Sequence, residues 1–114
     1  MNNKEKGNLG EKIACEFLIQ KGFKVLDTNY RIKSGEIDII AKFEDELVFV
    51  EVKSRMDLRF GYGRDAINNK KIKKITNTAK HYIFAKKIYD SKIRFDVIEV
   101  YFVNKKINHI ENAF

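Results

Sequence analysis

The sequence predicts a single α/β domain over residues 1–114, with a mixed sheet flanked by helices, and three observations carry that prediction. Apolar residues recur at helical spacing near the N-terminus, and short β-type runs fill residues 23–53 and 93–110. Between those runs lies a second, longer helical pattern. With 114 residues there is room for one core and not for two independent ones. Hydrophobic residues make up 44% and charged residues 34%, a globular balance in which the charge needs a surface or a site to occupy.

From about Lys6 to Lys21, Leu9, Ile13, Phe17 and Leu18 recur at helical spacing, and Gly22 stands where a left-handed C-terminal residue is favoured. The first helix should end there. Val25 and Leu26 mark a short strand over Phe23 to Thr28, and the polar stretch Asn29 to Gly35 reads as its exit loop. Two strands follow, about Glu36 to Phe43 and Glu46 to Lys53, joined by an acidic turn at Glu44 and Asp45. A loop from Ser54 to Gly63 then leads to a second helix over about Asp65 to Lys87. Its stripe of Ile72, Ile75, Ala79, Tyr82 and Ile83 should lie on the sheet, while Lys70, Lys71, Lys73, Lys74 and Lys80 largely face elsewhere. The alternating run Ile93 to Val103 and the shorter Ile107 to Ile110 complete the sheet.

The central hairpin poses the chemical question. With the turn on Glu44 and Asp45, Phe43 faces Glu46, Asp38 faces Glu51, and Glu36 faces Lys53. Paired residues share a face, so Ile37, Ile39, Ala41, Phe43, Val48, Val50 and Val52 fall on one side, which reads as core. The other side receives Glu36, Asp38, Glu51 and Lys53, with Ile40, Leu47 and Phe49 nearer the turn. Opposed side chains sit about 5 Å apart at Cβ, where two ionised carboxylates repel. A divalent cation would relieve that repulsion, since Mg²⁺ takes oxygen ligands and commonly uses one or two carboxylates beside water and phosphate. The bland alternative is charge on an open antiparallel face, with Lys53 paired to Glu51 or Glu36.

Charge and composition narrow the partners. The 23 basic side chains exceed the 16 acidic ones, and a net charge of +7 favours polyanions, nucleic acid first. Heavy use of Lys, Ile and Asn with no Pro could equally reflect an AT-rich genome. The single cysteine, Cys15, cannot form an internal disulfide, and no Cys/His cluster has zinc spacing. No apolar run approaches the roughly 20 residues of a membrane span, and the start of the chain lacks a signal-peptide core. These features suggest a cytoplasmic location and no membrane partner.

The ordered series Gly7, Gly10, Glu11 and Ala14 in "GNLGEKIA", Asn29-Tyr30-Arg31, "GEIDIIA" from Gly35, "VFVEVKSR" from Val48, Phe60-Gly61, and "RFDVI" from Arg94 spans most of the chain. In this series the chain resembles the YraN family of predicted endonucleases, within the PD-(D/E)XK, or restriction-endonuclease-like, nuclease superfamily. It is more distantly similar to archaeal Holliday-junction resolvases. The resemblance implies an αβββαβ core with metal ligands Asp38 and Glu51 and catalytic Lys53. It also implies that Glu11, pointing from the first helix into the same site, is a catalytic residue that binds a second ion or orients the water, and that Glu36 is an auxiliary acid at its edge. Mg²⁺ or Mn²⁺ would be the cofactor. The sequence departs from the superfamily pattern at Ile37, where the name has Pro, and at Tyr62-Gly63-Arg64, which replaces a Pro-containing loop.

The expected activity is metal-dependent hydrolysis of phosphodiester bonds in DNA rather than RNA, with branched or structured DNA in view. Candidate nucleic-acid contacts are Arg31, Arg55, Tyr62, Arg64, Lys70, Lys71 and Lys74, supplemented by Arg59 and Phe60 of the same loop. Two rival readings are a non-catalytic nucleic-acid-binding module with a nuclease fold and an interaction subunit of a DNA-processing complex. A homodimer is compatible with the resemblance, because resolvases of the superfamily act on paired strands as dimers. His81 and His109 read as structural or surface residues, and Cys15 as a buried small residue of the first helix. Asp96, alternating with Arg94 and Ile98, is either a structural ion pair or part of the site.

Overall fold

The computed structural model describes residues 1–57 and 68–114. Helix α1 (Asn3–Gln20) is followed by strands β1 (Lys24–Ile32), β2 (Gly35–Phe43) and β3 (Glu46–Arg55), helix α2 (Asn69–Lys86), and strands β4 (Lys92–Tyr101) and β5 (Lys106–Ile110). Among the described residues the strands form one sheet in chain order. Neighbours are antiparallel except β3 and β4, which run parallel on either side of the connection that carries α2. The fold is thus α/β with a mixed sheet, as expected, and is compatible with a restriction-endonuclease-like αβββαβ core. The loop residues Arg59, Phe60, Tyr62 and Arg64, and the expected first turn of α2 from Asp65, lie outside the described residues.

Local chemistry sets the element boundaries. Asn2 caps α1 by accepting the Glu5 N–H at 2.8 Å, so the helix starts earlier than its apolar pattern. At the other end Gly22 adopts φ +99°, and Gly22 N–H and Phe23 N–H reach back to the carbonyls of Ile19 and Leu18. This is the glycine-terminated double hydrogen bond that closes a helix, sealed by Phe23 and Leu18 packing in one cluster. Strand β1 corrects the expected loop: it runs to Ile32, because Tyr30, Arg31 and Ile32 pair with Ile37, Glu36 and Gly35. A polar strand at a sheet edge keeps its ladder while its side chains meet water, which the loop-like composition concealed.

The sheet is buried on both faces. Ile39, Ala41, Val48 and Val50 pack with Ala14 and Leu18 of α1. Ile40, Leu47 and Phe49, expected on the charged side, form a second core with Ile75, Ala79 and Tyr82 of α2. Ile37 joins this second cluster and not that of Ile39, so strict alternation fails around Asp38. Opposite this point Asn29 takes a left-handed φ of +52°. Of the expected α2 stripe, Ile75, Ala79 and Tyr82 are buried, Ile83 is half-buried against them and Ile72 is half-buried outside the cluster, while Thr78 joins the buried face by bonding its hydroxyl back to the Lys74 carbonyl at 2.8 Å.

Two glycines let the helices come close enough to flank one end of the hairpin. A Cβ on Gly10 would collide with Ser54 Oγ and lie 3.1 Å from Ser54 Cβ. On Gly35 it would collide with Thr78 Oγ1 and lie 3.1 Å from the Lys74 carbonyl oxygen of α2.

Asp96 is structural. Fully buried on β4, it accepts from Arg94 Nε and NH2 at 3.0 and 2.9 Å, from His109 Nε2 at 2.7 Å and from Asn112 N–H at 3.1 Å. Although burial opposes ionisation, the hydrogen bonds from His109 and Arg94 hold its carboxyl below the usual range. His81 is likewise occupied, at 2.7 Å from the Tyr30 hydroxyl.

The glycine contacts give a test. Gly35→Ala should lower unfolding free energy by about 1–3 kcal/mol, because backbone of α2 blocks relaxation. Gly7→Ala, with nothing within 4 Å of the new Cβ, should raise it by about 0.5–1 kcal/mol through helix propensity. Urea denaturation of both variants checks the pair.

Candidate active site

The site begins where two strands separate. β2 and β3 pair in the expected register from Phe43–Glu46 to Ile39–Val50, and the ladder stops there. Asp38 and Glu51 are therefore not a ladder pair, nor are Glu36 and Lys53, which corrects the extended register. In place of the next backbone acceptor, Asp38 Oδ2 takes the Val52 N–H at 2.8 Å. β3 meanwhile continues on its other edge against β4 as far as Arg55–Tyr101. The gap opened beside β3 leaves room for carboxylates that a closed ladder would have pressed together.

Four acidic side chains interact across this opening. Burial, then the Glu51 charge, raises the Asp38 carboxyl to about 7 against the opposing Val52 hydrogen bond, with Glu11 and Glu36 adding further repulsion. Glu11, on α1, is also raised, first by burial and then by Glu36 and Glu51, while a hydrogen bond from Asn29 opposes the shift. Among the described residues its buried Oε1 has no hydrogen-bond partner. Glu51 is 8% exposed and turns its Oε1 to the Lys71 ammonium at 2.9 Å, with Lys53 Nζ farther away at 3.9 Å. Burial, followed by the charge of Lys71, lowers the Lys53 pKa despite Glu51.

A cleft of about 500 Å³ lies against this cluster, lined by Gly35, Glu36, Asp38, Glu51, Asn68, Lys70, Lys71, Lys74 and Ile75. Thus Lys70, Lys71 and Lys74, read from the sequence as phosphate contacts, line the same cleft as the acidic residues, and Lys71 touches one of them. Glu11 lines a neighbouring depression with Asn8, Lys12, Cys15, Thr28 and Asn29, so it touches the cluster through charge more than through a shared opening. Arg31 and Glu36 are bonded to each other, with Arg31 Nε and NH2 at 3.1 and 3.0 Å from Glu36 Oε2. Arg55 ends β3, half-buried, with its carbonyl accepting the Phe102 N–H at 3.0 Å. Tyr62 and Arg64 lie outside the described residues. Sequence reasoning missed the Lys71–Glu51 pair, the Val52 anchor on Asp38 and the Asn29 contact to Glu11. Only the first had a signal: Asn68, an N-cap residue, accepts the Lys71 N–H at 2.9 Å and so fixes where that lysine leaves the helix.

The donor set suits a hard divalent cation in kind. Asp38 and Glu51 supply carboxylate oxygens, Glu11 offers an orphaned one, and their mutual repulsion is what a cation removes. Among the described residues no three His, Cys, Asp or Glu side chains already converge as a ligand set, and Glu51 Oε1 is engaged by Lys71. Ligation through that oxygen would compete with the lysine.

A raised carboxyl pKa has a definite sign in stability. Folding disfavours the Asp38 carboxylate, so the penalty is absent below the unfolded value of 3.8, grows as pH rises and is complete above about 7. Asp38→Asn keeps an acceptor for Val52 N–H without the charge. It should stabilise the metal-free protein by about 1–3 kcal/mol at alkaline pH and by much less at about pH 4. Thermal denaturation in a chelator at both pH values checks this.

Comparison with known proteins supplies the family. Residues 10–100 match the model of the uncharacterised protein family UPF0102. A UPF0102 protein of Clostridioides difficile is 58% identical over 114 residues, covering all of both chains. One from Alkaliphilus oremlandii is 47% identical, covering 98% of this chain and 99% of its own. Another, from Caldanaerobacter subterraneus, is 43% identical over all of this chain and 98% of its own. With a matching family model across most of its length and relatives this similar end to end, the chain belongs to the UPF0102 family.

Proposed function

We propose that this protein is a metal-dependent nuclease that hydrolyses phosphodiester bonds in DNA, with structured or branched DNA as the favoured substrate class. The observation that carries the reading is the gathering of Asp38, Glu51 and Lys53 where β2 and β3 part, beside a lysine-lined cleft. The similarity of its motifs to the YraN endonucleases and the PD-(D/E)XK superfamily supports the same reading. In the reaction an ester P–O bond is replaced by a P–O bond from water, leaving a phosphate end and a hydroxyl end.

Each residue has a role of its own. Asp38 and Glu51 would hold Mg²⁺ or Mn²⁺. The bound ion would supply Lewis-acid polarisation of the phosphate and a water-derived nucleophile at neutral pH. Lys53, its ammonium 18% exposed on a rigid strand, stabilises negative charge as it builds on the phosphate oxygens. Glu11 orients the attacking water through its unpartnered Oε1. Lys70 and Lys74 on the cleft wall neutralise backbone phosphates, in keeping with the net charge of +7. DNA is preferred to RNA on the motif similarity. The reading assigns the reaction to the cytoplasm, where a lone thiol such as Cys15 stays reduced.

One observation favours a second reading. Because Lys71 already neutralises Glu51 at 2.9 Å, the cluster has an internal counter-charge, as a nucleic-acid-binding module with no catalysis would need. Cleavage of branched, flapped and single-stranded DNA with Mn²⁺ or Mg²⁺ separates the two. Glu51→Ala and Lys53→Ala should each lower the cleavage rate by at least about a hundredfold while DNA binding stays within severalfold. Binding by all three proteins with cleavage by none would instead favour the module.

A further inference from the structure

Lys71 is the cation that Glu51 holds, and its position is unlike that of the other lysines. It stands in the first turn of α2, where the Asn68 cap fixes its backbone, and its Nζ lies 2.9 Å from Glu51 Oε1. Besides Glu51, its ammonium faces Asp38 and Glu36, so it feels three of the four acidic side chains. Lys53 is 18% exposed and 3.9 Å from Glu51, set on a strand that is paired to β4. Lys71 is 47% exposed and hangs from a helix by a flexible stem, so it can leave Glu51 without any movement of the backbone.

From these contacts we infer that the Lys71 ammonium is a resident counter-cation of Glu51, exchanged for the divalent ion when the site fills and released into the cleft to meet a phosphate. The inference rests on the reading of Asp38 and Glu51 as cation ligands and deepens it. Lys71 Nζ and an ion would both draw on the single negative charge of Glu51, so the two compete. The ion must break a charge-assisted hydrogen bond that is half shielded from water, which weakens its apparent affinity. In return, the displaced ammonium joins Lys70 and Lys74 on the wall of one cleft. Ion uptake thereby strengthens phosphate binding beyond the ion's own charge, and by linkage bound phosphate strengthens ion uptake. Without ion, the same lysine spares the fold a buried unpaired carboxylate.

The test is Mn²⁺ affinity, by isothermal titration calorimetry, of wild type, Lys71→Met and Lys70→Met, with Lys71→Gln as a second variant at the key position. Lys70 lines the same cleft, so its variant makes the same change in net charge there. Both Lys71 variants should bind Mn²⁺ tighter than wild type by about fivefold or more, and Lys70→Met should stay within about twofold. A second readout needs no variant. In nitrogen-detected spectra of the lysine side chains, the Lys71 ammonium held by Glu51 should lose its slowed solvent exchange when diamagnetic Mg²⁺ saturates the protein. Equal gains at positions 70 and 71 would reduce the effect to general charge and overturn the inference, as would unchanged affinity in the Lys71 variants or a Lys71 signal indifferent to Mg²⁺. Those results leave the nuclease reading standing. Failure of wild type and every variant to take up Mn²⁺ would remove both.

Discussion

The structure depends on one hydrogen bond that is not part of a ladder. Where β2 and β3 part after Ile39–Val50, the Val52 N–H would lack an acceptor, and Asp38 Oδ2 supplies it at 2.8 Å. An unpaired backbone donor in a half-buried strand costs free energy comparable to a lost hydrogen bond, so the side chain in effect replaces a strand. The same bond fixes Asp38 at the mouth of the gap and holds its carboxylate beside Glu51. Strand separation and acidic cluster are thus one feature, and neither is stable in this form without the other.

Packing then brings the rest of the cluster into range. Both sheet faces are covered, α1 over one core and α2 over the other, and the end near Asp38 is left to polar groups. Gly10 against Ser54 and Gly35 against Thr78 and Lys74 let the two helices approach the strands closely there. Glu11 enters from one side and Lys71 from the other. Electrostatics does the remaining selection, since burial and mutual repulsion raise Asp38 and Glu11 while lysines gather on the opposite wall. At the far end of β3 and β4 the Arg94–Asp96–His109 network solves the same burial problem with internal partners, and among the described residues none of its buried oxygens is unsatisfied. The contrast between the two charged clusters is what singles out the one at the strand gap.

Much of this was legible in the sequence because it rests on period and on short-range chemistry. The turn at Glu44 and Asp45 fixed the register through Ile39–Val50, and Gly22 ended α1 as its place after the apolar stripe required. What escaped detection depended on contacts distant in sequence. The end of the ladder coincides with Asp38 Oδ2 taking the Val52 N–H, a side-chain substitute that the hairpin pattern cannot reveal. Burial of Ile40, Leu47 and Phe49 under α2 was hidden because the alternation of one hairpin cannot tell a solvated face from a second core. Polar Asn29, Arg31 and Ser34 made the end of β1 look like a loop, although strand pairing there uses backbone groups that composition does not report. The engagement of Lys71 with Glu51 needed the packing of a helix onto a strand, and the Asn68 cap, which fixes where Lys71 leaves the helix, was its one trace in the sequence.

The central claim is that the strand gap was built around a divalent ion, with Asp38 and Glu51 as its first ligands. Crystals grown in Mn²⁺ and measured at a wavelength where manganese scatters anomalously test this directly. The account predicts an anomalous peak at ligating distance from carboxylate oxygens of both Asp38 and Glu51, with the Lys71 ammonium no longer on Glu51. A map with no peak in the gap, and Lys71 still bonded to Glu51 at saturating Mn²⁺, would contradict it.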